Sequence, residues 1–96
     1  MALEVVWTDE ANEGLDEIIE HLKDNWTDKE IHNFFTRLED CLKKIKEAPH
    51  RQKDSIRKPG TKEYQHSPQT TIFYTFDDKV IIILRIWTNL KNPGKL

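Results

Sequence analysis

Five consecutive apolar residues, Val80-Ile81-Ile82-Ile83-Leu84, run directly into Arg85-Ile86-Trp87. An almost unbroken apolar strand of this kind is expected to be covered on both faces, because it lacks the polar alternation of a half-solvated strand. Arg85 and Trp87 alternate with its core residues, so one face turns from apolar to cationic and aromatic near the end of the chain. An arginine inside such a strand needs an anionic or hydrogen-bonding partner. That stretch is where a partner is expected to dock.

The length of 96 residues sets one domain, residues 1–96, as the expectation. A chain of this size buries roughly 60 to 65% of the surface it exposes when unfolded, enough for one core. Hydrophobic residues at 36% against charged residues at 33% fit a soluble protein. No apolar run approaches the ~20 residues of a membrane span, so no membrane crossing is expected. Met1-Ala2-Leu3-Glu4 lacks the basic stretch and apolar run of a secretory signal, and a cytoplasmic location is expected. Cys41 is the single cysteine and shares a helical stripe with Leu38 and Ile45, so it reads as a small buried hydrophobe.

The net charge of -2 conceals a division along the chain. Residues 1–48 carry thirteen Asp and Glu against six Lys and Arg, a balance of -7, whereas residues 49–96 carry four against nine, a balance of +5. The second half is thereby suited to an anionic partner, while the first half also reads as a pair of acidic, solvated helices.

Leu3 to Trp7 is β-leaning, and Thr8 after it has the side chain of an N-cap, with Asp9 and Glu10 favoured by the dipole of the first helical turn. Ala11, Leu15, Ile18, Leu22 and Trp26 then fall on one stripe of a helix. Thr27 and Glu30 have capping-box spacing, and Trp26 and Ile31 that of a hydrophobic staple, so a second helix starts at Thr27 or Asp28. Ile31, Phe34, Phe35, Leu38, Leu42 and Ile45 keep its period until Pro49 disfavours helix in the preceding residue. The spacing predicts a tight helical hairpin.

Beyond it, a short strand is expected around Ser55 to Arg57, a weak one at Thr61 to Gln65, a strong one at Thr70 to Phe76 and the last at Lys79 to Trp87, with turns at Ser67-Pro68 and Asp77-Asp78. The order β-α-α-β-β-β gives an α+β fold with the helical hairpin packed on one face of a mainly antiparallel sheet.

Little conventional chemistry is encoded. His21, His32, His50 and His66 form no Cys or His pair at ligand spacing, so exposed histidines and no metal are expected. Three glycines make no phosphate loop, no Ser or Cys lies in a nucleophile motif, and no cofactor is implied. Asp16, Glu17, Glu20 and Asp24 lie opposite the apolar stripe and read as a solvated face. What remains is a cationic and aromatic group, Arg51, Lys53, Arg57, Lys58, Lys62, Tyr64, His66, Arg85, Trp87 and Lys91. Several are expected to converge on the sheet face away from the helices, where Lys and Arg suit phosphate and Tyr or Trp suits stacking. The competing reading is that these cations only solubilise edge strands.

An ordered set of features spans the chain: an opening strand into Trp7-Thr8-Asp9-Glu10-Ala11, Trp26 between the helices, Phe34 and Leu38, Ala48-Pro49, Ile72-Phe73-Tyr74 before Asp77-Asp78, then Ile83-Leu84-Arg85-Ile86-Trp87 and Asn92-Pro93. As a set they resemble the RelE/ParE superfamily of type II toxins, small bacterial proteins held inactive by a cognate antitoxin and associated with plasmid stabilization. The resemblance implies the β-α-α-β-β-β fold reached above from caps and periodicity.

It also implies one of two activities. RelE-like members cut messenger RNA on the ribosome, with Lys and Arg stabilising charge and a late Tyr or His moving protons; ParE-like members bind and poison DNA gyrase. Many relatives place a His, Asp or Tyr just after the final strand and an Arg two residues later, where this chain has Thr88 and Leu90. Thr is no general acid or base near neutral pH, and Leu does not contact phosphate; Lys91 offers only a point charge. The expectation is therefore a ParE-like gyrase inhibitor that contacts its target through Arg57, Lys58, Arg85, Trp87 and Lys91 and is neutralised by an antitoxin segment. The alternatives are a ribosome-dependent endoribonuclease using Lys58, Tyr64, His66 and Arg85, and an inactive homologue that only binds antitoxin.

Overall fold

The computed structural model describes residues 3–55 and 60–88. Its elements are β1 (Glu4–Trp7), α1 (Asp9–Asn25), α2 (Asp28–Glu47), a 3-10 turn (Pro49–Arg51), β2 (Lys53–Asp54), β3 (Lys62–Ser67), β4 (Thr70–Phe76) and β5 (Val80–Thr88). The five strands form one sheet in the order β1-β5-β4-β3-β2. Only β1 and β5 are parallel; the other three pairings are antiparallel. The α+β architecture is the expected one. The short strand β2 lies at Lys53–Asp54, earlier than the anticipated Ser55 to Arg57, and Arg57 is outside the described residues.

Both helix starts follow from their caps. The Thr8 hydroxyl oxygen accepts the Ala11 N–H at 3.1 Å, satisfying one of the orphan donors of the first turn of α1. At α2 the Thr27 hydroxyl accepts the Glu30 N–H at 3.2 Å while the Glu30 carboxylate accepts the Thr27 N–H at 3.0 Å, a complete capping box. Trp26 is the C-cap of α1, its N–H donating to the Leu22 carbonyl at 2.7 Å, and its side chain packs partly buried against the core as its place on the stripe predicts. Two residues thus reverse the chain between the helices.

The stripes predicted for the helices are the ones they bury. Ala11, Ile18 and Leu22 of α1 and Phe34, Leu38, Cys41 and Ile45 of α2 meet Ile72, Tyr74, Ile81, Ile83 and Ile86 of the sheet. Gly14 lets α1 lie directly against β5, since a Cβ at that position would stand 3.1 Å from the Ile86 carbonyl oxygen. Tyr74 is fully buried, and its hydroxyl donates to the Pro49 carbonyl at 2.6 Å, tying the end of the helical hairpin to the centre of the sheet. Burial of that phenol raises its pKa well above the ordinary tyrosine value.

One expectation fails here. The apolar run of β5 is covered on a single face: Ile81 and Ile83 are buried under the helices, whereas Val80, Ile82 and Leu84 are only half-buried. β5 sits inside the sheet between β1 and β4, and among the described residues no second layer covers its outer face. On β1, Val6 points the same way as Ile82, its partner in the parallel ladder, and keeps 43% of its surface exposed. Among the described residues no helix is long and apolar enough to cross a membrane.

Candidate target-binding face

Strict alternation along β5 would send Arg85 to the same side as Ile81 and Ile83, under the helices. A β-bulge prevents this. Tyr74 pairs with Ile83 but its neighbour Phe73 pairs with Arg85, so Leu84 is the extra residue. The parity of the strand changes at that point. Ile86, opposite Ile72, becomes the buried residue, while Arg85, opposite Phe73, is exposed on the uncovered face. Trp87, opposite Thr71, follows Arg85 onto that face and is half-buried.

Thr8 holds the bulge. Its N–H donates to the Ile83 carbonyl at 3.2 Å, and its hydroxyl lies 3.0 Å from the Ile83 carbonyl oxygen and 3.2 Å from that of Leu84. Sequence reasoning identified Thr8 only as a helix cap, and nothing in the local pattern of Ile83-Leu84-Arg85 announced a bulge. The one usable signal was the lone arginine itself, which an unbroken alternation would have buried.

The open face can be mapped from the register. One row crosses the sheet through Lys53, Glu63, Phe73 and Arg85, and the next through Gln65, Thr71 and Trp87. Ile82 and Val6, next to Thr75 in the same row, form an apolar stretch on the β1 side. The described part of this face therefore carries Lys53 and Arg85 with Glu63 among them, around the aromatic Phe73 and Trp87. Arg57, Lys58 and Lys91 lie outside the described residues, as does Leu90.

Three of the cationic and aromatic candidates belong to the opposite side. Lys62 pairs with Tyr74 and Tyr64 with Ile72, both core residues, and Tyr64 packs against the core cluster. Lys62 also makes an ion pair with Asp54 at 2.7 Å. His66, expected to be exposed, is 5% exposed, with its ring centroid 4.4 Å from that of Phe34 and Nε2 3.1 Å from the Phe34 carbonyl oxygen. A carbonyl only accepts, so the neutral ring carries its proton on Nε2; Nδ1 is buried without a partner among the described residues. Burial lowers the His66 pKa, the Phe34 carbonyl opposes that shift, and nearby Arg37 adds to it. Cys41 is buried as expected, and its thiol pKa is raised by burial against the smaller lowering effects of Arg37 and Lys44.

Beside the close approach of Gly14 to Ile86, where β1 stops and β5 continues, a cavity of about 420 Å³ opens along the edge of β5. Glu10, Glu13 and Glu17 line one side of it and Arg85, Trp87 and Thr88 the other. The acidic helix and the cationic strand, recognised as opposite ends of the charge distribution, are therefore neighbours. No group of three or more His, Cys, Asp or Glu among the described residues is arranged to hold a metal ion.

Residues 5–93 match the family model described as the ParE toxin of the type II toxin-antitoxin system, parDE. No curated protein matches the sequence. In structure the chain is similar to a chromosomal ParDE toxin-antitoxin system from P. aeruginosa, with a TM-score of 0.75 at 18% identity over 91% of this chain and 96% of the other. It is also similar to the RelBE2 toxin-antitoxin complex of Mycobacterium tuberculosis, with a TM-score of 0.64 at 19% identity over 93% and 100% of the two chains. The YoeB dimer from Staphylococcus aureus gives 0.63 at 17% identity over 93% and 99%. At these identities the structural likeness speaks to the fold.

Proposed function

This chain belongs to the ParE toxin family of type II toxin-antitoxin systems, and from that premise we propose that it acts in the ParE manner, as a binder that poisons DNA gyrase. Its target contact centres on Arg85 and Trp87 of the open sheet face, extended by Arg57, Lys58 and Lys91, and a cognate antitoxin neutralises it. The observation that carries the reading is the separation of chemical groups across the sheet. Arg85 is exposed on one face, while Tyr64 and the buried His66 belong to the side carrying the helices. A nuclease needs a proton-transfer group within hydrogen-bond reach of the phosphate that its cations hold. Tyr64 and His66 do not share a face with Arg85, and Thr88 has no useful acid-base chemistry near neutral pH. A surface that only has to recognise a macromolecule needs exposed Arg and aromatic groups, without general acid or base.

Antitoxin recognition fits coupled folding and binding, in which a disordered segment orders along an exposed groove or edge. Inducing the chain in a bacterium and following DNA breaks and protein synthesis over the first minutes tests the proposal. Early DNA damage with translation intact is the expected result. Early translation arrest with cleaved messages would support ribosome-dependent cleavage instead, and unimpaired growth would identify a homologue that has lost toxicity.

A further inference from the structure

We propose that Thr8 is a positioning residue for Arg85: its hydroxyl, aimed at the Ile83 and Leu84 carbonyls, locks the bulge that turns the guanidinium onto the open face. The proposal rests on the reading that Arg85 meets the target, and extends it to Thr8, between β1 and α1.

A bulge leaves one residue outside the regular ladder, so its backbone groups need partners from elsewhere. The single Thr8 hydroxyl proton is shared between the Ile83 carbonyl at 3.0 Å and the Leu84 carbonyl at 3.2 Å, and the Ile83 carbonyl also takes the Thr8 N–H at 3.2 Å. The Thr8 hydroxyl oxygen also accepts the Ala11 N–H at 3.1 Å. Thr8 thus uses its lone pairs for the start of α1 and its proton for the bulge. Without that proton, the competing arrangement is a one-residue slip that pairs Leu84 with Phe73 and Arg85 with Ile72. Such a slip moves every side chain beyond it to the other face. Arg85 would then take the inward position now held by Ile86, against which α1 packs closely at Gly14.

The two tasks of Thr8 are chemically separable. Serine retains both acceptor and donor. Ionised aspartate is a good N-cap acceptor but has no proton for the carbonyls. Valine keeps the shape and has neither. The test uses the full chain, measuring the backbone contact between Phe73 and Arg85 by nuclear Overhauser effect and toxicity on induction. Thr8→Ser should retain the Phe73–Arg85 contact and toxicity. In Thr8→Asp the Ala11 amide should stay protected from exchange while the Phe73–Arg85 contact is lost or divided between two registers, and toxicity should fall by about tenfold, the factor carried by one net hydrogen bond. Thr8→Val should lose both the amide protection and the contact. A folded Thr8→Asp chain with the Phe73–Arg85 contact intact would overturn the proposal whatever its toxicity. If instead Arg85→Ala proves fully toxic, the reading of Arg85 fails, while the register measurement still tests Thr8. Should Thr8→Asp not fold, the wild-type hydroxyl proton decides: slow exchange and a contact to Leu84 are expected, and rapid exchange with solvent would overturn the assignment.

Discussion

The two faces of this sheet are built from much the same residue types and have opposite fates. Ile81, Ile83, Ile72 and Tyr74 are sealed beneath the helices, while Ile82 and Phe73 in the same strands, and Val6 beside Ile82 on β1, stay partly in contact with solvent. Hydrophobicity along the chain does not separate the two sets; the presence of a helical layer on one side does. The covered face holds the molecule together through close packing and a few fixed polar ties, such as Tyr74 to Pro49. The open face retains apolar and aromatic residues that the core does not use, with Arg85 turned among them by the bulge at Leu84.

The largest difference is expected between adjacent residues of β5. Ile83→Ala removes side-chain volume from the core and should destabilise the chain by about 2 to 5 kcal/mol, whereas Ile82→Ala on the open face should cost about 1 kcal/mol or less. Urea unfolding of the two variants measures this, and equal losses would mean that both faces are packed alike. Next in size is Tyr74→Phe, which leaves the buried Pro49 carbonyl without its donor and should cost about 1 to 3 kcal/mol. Calorimetry would expose the alternative, an unchanged melting temperature.

A smaller, pH-dependent effect belongs to His66 on the covered side. Its folded pKa lies below the ~6.5 of an unfolded histidine, because burial disfavours the charged ring. The contribution to stability is therefore complete above about pH 6.5 and is lost as pH falls through the lower folded value. The unfolding equilibrium constant should rise by up to about fivefold from this group between pH 6.5 and 5.5, and His66→Gln should remove that increment. In a proton NMR titration His66 should change protonation below the ~6.5 of an unfolded histidine; a midpoint at or above that value would refute the assignment.

Much of the covered side was legible in the sequence because its signals are local. Thr8 and Thr27 are caps with acceptor side chains at the right offsets, and the stripes from Ala11 to Leu22 and from Phe34 to Ile45 carry helical period. The Thr70–Phe76 strand was delimited by the turns on either side of it. His66 was misread because its burial depends on Phe34, 32 residues away in sequence. The open face was harder to read for a similar reason. Whether Arg85 points in or out depends on a single extra residue, Leu84, and that in turn on a hydroxyl 76 positions earlier. Periodicity along one strand carries no record of such a partner. Tyr64 and His66, named for the alternative nuclease reading, lie apart from Arg85 because β3 turns those two side chains toward α2 and the core.

The most direct test of the division between a structural face and a target face is Arg85→Ala, with unfolding and toxicity measured on the same chain. Because Arg85 is exposed, stability should change by no more than about 0.5 kcal/mol and antitoxin affinity by less than about tenfold, while toxicity on induction disappears. A stably expressed Arg85→Ala chain that remains fully toxic would contradict the account.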